Sequence, residues 1–158
     1  MTHKHTLNSY NSQINISISE LLPKLFLFLS GLSFVVSLFL STFFTSDGNV
    51  IGAWVFILGW IGIVVFQFAW YANPLNILAL LLFEARPRLA ILLSLLALVI
   101  ASETFTFSEI PTGLFTGNHS EKTFIKEFGL GFYSWYLSQI LFLFALFSKY
   151  LATNKGNS

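Results

Sequence analysis

The feature that most constrains this chain is a series of long apolar blocks that contain no charged residue. One block runs from Leu25 to Phe44, a longer one from Val50 to Phe83, and another from Leu130 to Phe147. A helix rises ~1.5 Å per residue, so about 20 such residues cross the ~30 Å hydrocarbon layer of a bilayer. The blocks therefore predict helices that span a membrane.

The composition favours the same conclusion. Hydrophobic residues make up 55% of the chain and charged residues 9%, with a mean hydropathy of +0.75, whereas an ordinary soluble domain is about 25% charged. The chain has no cysteine for a disulfide scaffold, and its net charge of +1 excludes a nucleic-acid binder that neutralises many phosphates. We expect an all-α, polytopic helical bundle in a membrane.

Turn signals and charges divide the chain into four predicted spans. They lie at about 25–44, 50–71, 89–107 and 130–147, within a single domain of residues 25–150 that has an outer loop at 108–129 and polar tails at 1–24 and 151–158. The apolar stretch that begins at Val50 is too long for one span. Asn73 and Pro74 are expected to end the second span, because proline disfavours helical geometry in the preceding residue and lacks an N–H.

The apolar segment Leu75–Phe83, which is followed by charged residues, leaves two alternatives open. In the first it is a short interfacial helix between spans two and three. In the second, residues 75–101 form one span kinked at Pro87, which places charges inside the bilayer. A charge near the bilayer centre costs at least ~2.5 kcal/mol, so we favour the interfacial helix.

Basic residues set the predicted orientation, because their excess in short loops stays cytoplasmic. With four spans and the N-terminus inside, the inner side holds Lys4, Lys24, Arg86, Arg88, Lys149 and Lys155. The outer side holds only Lys122 and Lys126. We therefore expect both termini in the cytoplasm.

Small residues form one face on several predicted spans. On spans two and four they are Gly52, Gly59, Gly62, Gly131, Ser134 and Ser138, and span one adds Ser30, Ser33, Ser37 and Ser41. Helices in lipid associate through such faces, so we expect them to serve helix packing. A polar pathway lined by the serines is the alternative.

Five polar residues are candidates for ligand binding. Gln67 and Gln139 are the amides inside predicted spans, and they either bond to each other across spans two and four or contact a ligand. Glu84, Arg86 and Arg88 form the densest charged cluster on the inner side. This cluster either anchors a helix start among lipid phosphates or recruits a lipid headgroup or a partner loop.

The sequence carries no motif for catalysis or metal binding. It has no cysteine nucleophile, no Gly-x-Ser-x-Gly turn, no HExxH helix and no glycine-rich phosphate loop. Glu103 and Glu109 lie near the predicted outer interface, but no third ligand stands at metal-binding spacing, and His119 is isolated in the loop. We expect neither an enzyme nor a cofactor or metal site.

Two segments carry a resemblance to a known group of proteins. Residues 59–88, GWIGIVVFQFAWYANPLNILALLLFEARPR, contain a Trp-x-Ala-Asn-Pro turn, and residues 129–139, GLGFYSWYLSQ, are rich in glycine and contain a tryptophan. Over about residues 50–145 this layout resembles small, uncharacterised four-span proteins of the bacterial inner membrane. The resemblance implies a location in the bacterial inner membrane. It implies no activity. In topology alone the chain is also similar to immunity proteins that protect bacteria from pore-forming bacteriocins.

These observations favour a non-enzymatic accessory subunit or helper of a larger inner-membrane assembly, because the predicted loops are small and carry no chemistry. One alternative is an immunity-type protein that binds a membrane-active toxin. Another is a lipid-handling or transport component that uses the polar candidates. The expected partners are membrane lipids and either another membrane protein or a second copy of the chain, with no nucleic acid. The oligomeric state stays open, because small-residue faces serve contacts within one chain or between chains.

Overall fold

The computed structural model describes the backbone of residues 2–110 and 123–155 and the side chains of residues 20–110 and 123–154. The helices in these ranges are α1 (Thr2–Phe39), α2 (Gly52–Leu58), α3 (Ala72–Leu81), α4 (Pro87–Ser102) and α5 (Leu130–Lys155). The strands are β1 (Ser41–Thr45), β2 (Gly48–Ile51), β3 (Glu109–Ile110) and β4 (Thr123–Phe128). Short 3-10 helices cover Gly59–Val65, Ala69–Tyr71 and Glu103–Thr106.

Three helical stretches of the described chain are long and apolar enough to cross a membrane: Glu20–Phe39, Pro87–Thr106 and Leu130–Asn154. They correspond to predicted spans one, three and four, and they are compatible with a membrane location. Helix α1 begins at Thr2, so the N-terminal segment predicted as a tail is helical. Helix α5 continues to Lys155, beyond the predicted end of span four.

A four-stranded antiparallel sheet corrects the all-α prediction, although most of the described residues are helical. Its strand order is β2-β1-β4-β3. The end of the first predicted span, at Phe44, belongs to β1, and α1 stops at Phe39. The sequence STFFT is rich in β-branched and aromatic residues, which pack well on a pleated surface. Gly48 closes the β1–β2 turn with a φ of +137°, a conformation that favours glycine.

Helices α1 and α5 pack antiparallel through their serine faces. The Ser30 hydroxyl donates to the Ser138 carbonyl at 2.9 Å, and the Ser33 hydroxyl donates to the Ser134 carbonyl at 2.8 Å. For helices in lipid, such bonds contribute on the order of 0.6 kcal/mol each. These serines therefore hold the helix pair together, and their hydroxyls are engaged with backbone carbonyls.

We call the side of the bundle that carries β1–β4 the sheet end, and the side that carries Arg86 and Arg88 the arginine end. Helix α4 starts at Pro87 and reaches the sheet end at Ser102. Helix α3 runs alongside it in the opposite direction, from the sheet end towards the arginine end.

Helix α3 covers most of the predicted interfacial helix at 75–83, and its interfacial location remains a prediction. Ala72 and Ala79 are fully buried, and the helix packs against α4 and α5. The predicted role of Asn73 and Pro74 as a helix end is wrong, because both lie in the first turn of α3. The N–H groups of a first turn have no intrahelical partner, so proline is tolerated there.

The predicted second span at 50–71 is not one helix. Residues 48–51 are strand β2, and α2 ends at Leu58. The following 3-10 helix ends at Val65, and the next residue, Phe66, has a left-handed φ of 60°. The Gly52 N–H donates to the Leu40 carbonyl at 2.9 Å, at the sheet end. The Phe68 N–H donates to Glu103 at 2.8 Å, also at the sheet end. Residues 52–68, which we call the folded-back segment, therefore leave the sheet end and return to it.

Two glycines of the folded-back segment allow close approaches, Gly62 between its two arms and Gly59 to Trp70. A Cβ at Gly62 would lie 2.6 Å from the Gln67 carbonyl oxygen, and one at Gly59 would overlap the Trp70 indole. Residues 69–81 are then the part of the chain that runs from the sheet end to the arginine end. At ~1.5–2 Å per residue this stretch covers about 20 Å, less than the ~30 Å hydrocarbon layer.

Candidate functional site: a cavity at the sheet end

An apolar cavity of about 180 Å³ lies at the sheet end, where α1, the folded-back segment, the sheet and α5 meet. Its aromatic lining includes Phe34, Trp54, Phe56, Trp70, Phe132 and Trp135. An apolar, aromatic lining with a few polar groups is typical of small-molecule sites. A cavity of about 150 Å³ binds benzene, so this one accommodates a single ring or a short piece of hydrocarbon chain.

The aromatic cluster around Phe132 supports the wall that α5 contributes to the cavity. Phe132 is fully buried, and its ring centroid lies 4.9 Å from those of Phe105 and Phe128. Gly131 precedes it, and a Cβ there would lie 2.6 Å from the Leu40 carbonyl oxygen. Only a glycine permits this approach, so the start of α5 is held against the junction between α1 and β1.

Most polar side chains at the cavity already have partners. The Trp135 indole N–H donates to Asn73 Oδ1 at 2.9 Å, and the Trp70 indole N–H donates to a backbone carbonyl of α2 at 2.7 Å. The Gln67 amide donates to the Glu109 carbonyl at 3.1 Å. These bonds fix the orientation of the rings and amides that line the cavity.

The hydroxyl of Thr104 differs from these groups. Thr104 is 3% exposed and lines the cavity, and its Oγ1 has no hydrogen-bond partner among the described residues. An unpaired buried hydroxyl costs about 1–3 kcal/mol.

The structure does not bring the two candidate glutamines together. Gln67 lines the cavity, whereas Gln139 is 4% exposed and lies deeper in the bundle. There Gln139 accepts a hydrogen bond from the amide of Asn76. Asn76 Oδ1 and Ser94 Oγ, on the facing helices α3 and α4, are buried without a partner in the described part of the chain.

The buried core between Asn76 and the arginine end differs in composition from the core around Asn76 and Gln139. There it consists of Ala79, Phe83, Ala90, Phe142, Ala145 and Leu146. Within the described ranges, the buried polar side chains therefore give way to an apolar core. This arrangement does not match the serine-lined pathway considered from the sequence.

The predicted charged cluster is divided in the structure. Glu84 forms an ion pair with Lys149, with 2.6 Å between Oε2 and Nζ. The Arg88 guanidinium instead lies over the Tyr150 ring, 5.8 Å from its centroid. Arg86 lies beside Arg88 in a surface groove at the same end.

Acidic residues at the sheet end stabilise local structure. The Glu103 carboxylate accepts the Phe68 N–H and so fastens the folded-back segment. Asp47 accepts the Thr123 hydroxyl at 2.6 Å, and this hydrogen bond, with one from Ser46, lowers the pKa of Asp47. No group of three potential metal ligands occurs among the described residues. The predicted outer loop is described only at its two ends, and its lone histidine lies outside the described residues.

Comparison with known proteins identifies no relative: no family model, no curated protein and no solved structure matches the chain. The function is therefore argued from the cavity and the groove themselves.

Proposed function

We propose that the chain is a non-enzymatic integral membrane protein that binds the apolar part of a lipid-like molecule at the sheet end. The observation that carries this proposal is the cavity, which combines an aromatic lining with a volume of about 180 Å³. This is the lipid-handling alternative from the sequence, with Gln67 as the lining candidate.

The cavity also indicates which kind of ligand fits. The volume accepts one ring or a short piece of chain, so the remainder of a longer molecule would extend through the cavity opening. We therefore propose an amphiphile with a single inserted chain or ring.

The accessory-subunit and immunity hypotheses remain separate proposals. Both require that a protein partner cover an apolar helix face, and such faces serve equally for contact with lipid. Gentle extraction followed by mass spectrometry tests them, because a partner at near-equal amount supports a subunit. The cavity supports lipid binding with or without such a partner.

Photo-crosslinking tests the proposed function. The protein is placed in nanodiscs that contain a phospholipid with a diazirine on one acyl chain, and the labelled residues are mapped by mass spectrometry. We expect labels on cavity residues such as Phe43, which is buried, and Trp135. Labels confined to outward-facing residues such as Leu92 and Val99, which are 62% and 69% exposed, would contradict the proposal.

Two substitutions sharpen this test. Val55→Trp fills the cavity and should abolish labelling inside it, whereas Val36→Trp, at a site that is 41% exposed on α1, should leave labelling unchanged. If Val55→Trp keeps full labelling in the cavity, the ligand does not occupy it.

A further inference from the structure

A second site lies at the arginine end, on the opposite side of the bundle from the cavity. A groove of about 450 Å³ separates the start of α4 from the last turns of α5. Its lining consists of Arg86, Pro87, Arg88, Leu89, Tyr150, Thr153 and Asn154. Two guanidinium groups therefore border one concave surface.

Among the described residues, no neighbouring acid balances the positive charge of this groove. Glu84, the nearest carboxylate in sequence, is engaged by Lys149, with 2.6 Å between the charged atoms. Neither arginine forms an ion pair with a carboxylate in the described ranges. The first turn of α4 also contains no acidic residue, so its positive dipole end faces the groove without compensation.

Contacts with α5 orient one of the two arginines. The Arg88 guanidinium carbon lies 5.8 Å from the centroid of the Tyr150 ring, and Asn154 lines the groove beside them. A guanidinium held by an aromatic face keeps N–H groups at its edge free for another acceptor. Those N–H groups match the oxygens of a phosphate in a bidentate arrangement.

We propose that this groove binds a phosphate group, which Arg86 and Arg88 both contact. The phosphate belongs either to the headgroup of an anionic lipid or to a free phosphate compound, and the chemistry of recognition is the same for both. The site goes beyond the proposed lipid-chain cavity and does not depend on it. An empty cavity and a functional phosphate groove are therefore distinguishable outcomes.

Lipid retention measured by native mass spectrometry tests the groove. Wild-type protein released from nanodiscs of phosphatidylcholine mixed with phosphatidylglycerol should retain phosphatidylglycerol selectively. Arg86→Gln should reduce this retention at least about tenfold, because a hydrogen bond between charged groups is lost. Lys24→Gln removes the same charge from α1, outside the groove lining, and should leave retention unchanged.

Arg88→Lys separates a specific site from general attraction between charges. The substitution keeps the positive charge but removes the planar guanidinium group, so a specific phosphate site predicts weaker retention of phosphatidylglycerol. Equal retention by wild type, Arg86→Gln and Arg88→Lys would overturn the proposal. Thermal unfolding of each variant shows that the comparison is made on folded protein.

Calorimetry identifies the source of the phosphate. Inorganic pyrophosphate is titrated into protein held in phosphatidylcholine nanodiscs. Binding that is lost in Arg86→Gln assigns the groove to a free phosphate compound. Retention of phosphatidylglycerol without pyrophosphate binding assigns it to a lipid headgroup. If the binding of phosphatidylglycerol and of pyrophosphate is the same in wild type and in the arginine variants, the groove is not a phosphate site.

Discussion

Replacing Gly131 with alanine tests the close approach that fixes the start of α5. The added Cβ would lie 2.6 Å from the Leu40 carbonyl oxygen and 2.8 Å from that of Ser41. These are backbone atoms, and the Leu40 carbonyl also accepts the Gly52 N–H at 2.9 Å. The junction therefore cannot yield without disturbing the folded-back segment. Overpacking of this kind costs about 1–3 kcal/mol.

Gly31 provides a matched control. It lies in the middle of α1, and an added Cβ there meets nothing within 4 Å. Gly31→Ala should stabilise the helix by up to ~1 kcal/mol, the difference in helix propensity. The two substitutions add the same methyl group, so their difference isolates the close approach at the junction.

Thermal unfolding in a mild detergent measures both variants. At about 2–4 °C per kcal/mol for a chain of this size, Gly131→Ala should lower the Tm by about 2–12 °C. Gly31→Ala should leave the Tm unchanged or raise it by up to ~4 °C. A Gly131→Ala protein that melts at or above the wild-type temperature would refute the close approach of α5 to the junction between α1 and β1.

Two further predictions concern polar contacts. The lowered pKa of Asp47 means that its hydrogen bond with Thr123 stabilises the fold above the ordinary carboxyl pKa of 3.8 and that this contribution is lost as pH falls through the folded-state pKa. The Tm difference between wild type and Asp47→Asn should therefore shrink towards pH 2, and a constant difference would contradict the assignment. Trp135→Phe leaves Asn73 unpaired and should cost about 1–3 kcal/mol in thermal unfolding. Trp54→Phe, at a site that is 57% exposed, should cost less than about 0.5 kcal/mol, and equal losses in the two variants would argue against the indole bond.

The sequence predicts the long apolar helices well, because a charge-free block of about 20 residues has few other stable arrangements. Hydropathy fails for the folded-back segment, since an apolar strand, an apolar 3-10 helix and an apolar α-helix have the same composition. Local signals were nevertheless present. Asp47 and Gly48 are typical of a hairpin turn, and Gly59 and Gly62 permit the close contacts of the folded-back segment.

Pro74 illustrates why a helix boundary was misplaced. A proline disfavours the helix before it and fits the first turn of a helix after it, so the same residue marks an end or a start. Packing decides between the two, because Ala72 and Ala79 of α3 are buried against other helices. No pattern within one segment contains that information.

The cavity could not be predicted, because residues distant in sequence create it. Its lining extends from α1 through Val50 and Thr104 to Trp135. The bonds that join Asn73 to Trp135 and Asn76 to Gln139 arise from the relative register of α3 and α5. Register between separate helices depends on the assembled bundle, so the sequence showed candidate amides without their partners.

The pairing of β1 with β4 has a consequence for how the protein is made. Phe43 and Phe44 lie opposite Phe128 and Glu127, so the first hairpin emerges from the ribosome long before its partner strand. A chain is synthesised from its N-terminus, and until β4 arrives one edge of β1 presents unpaired backbone groups. The sheet is thus completed only after Phe128 has been delivered. A product truncated before β4 leaves that edge of β1 unpaired and available to pair with another chain.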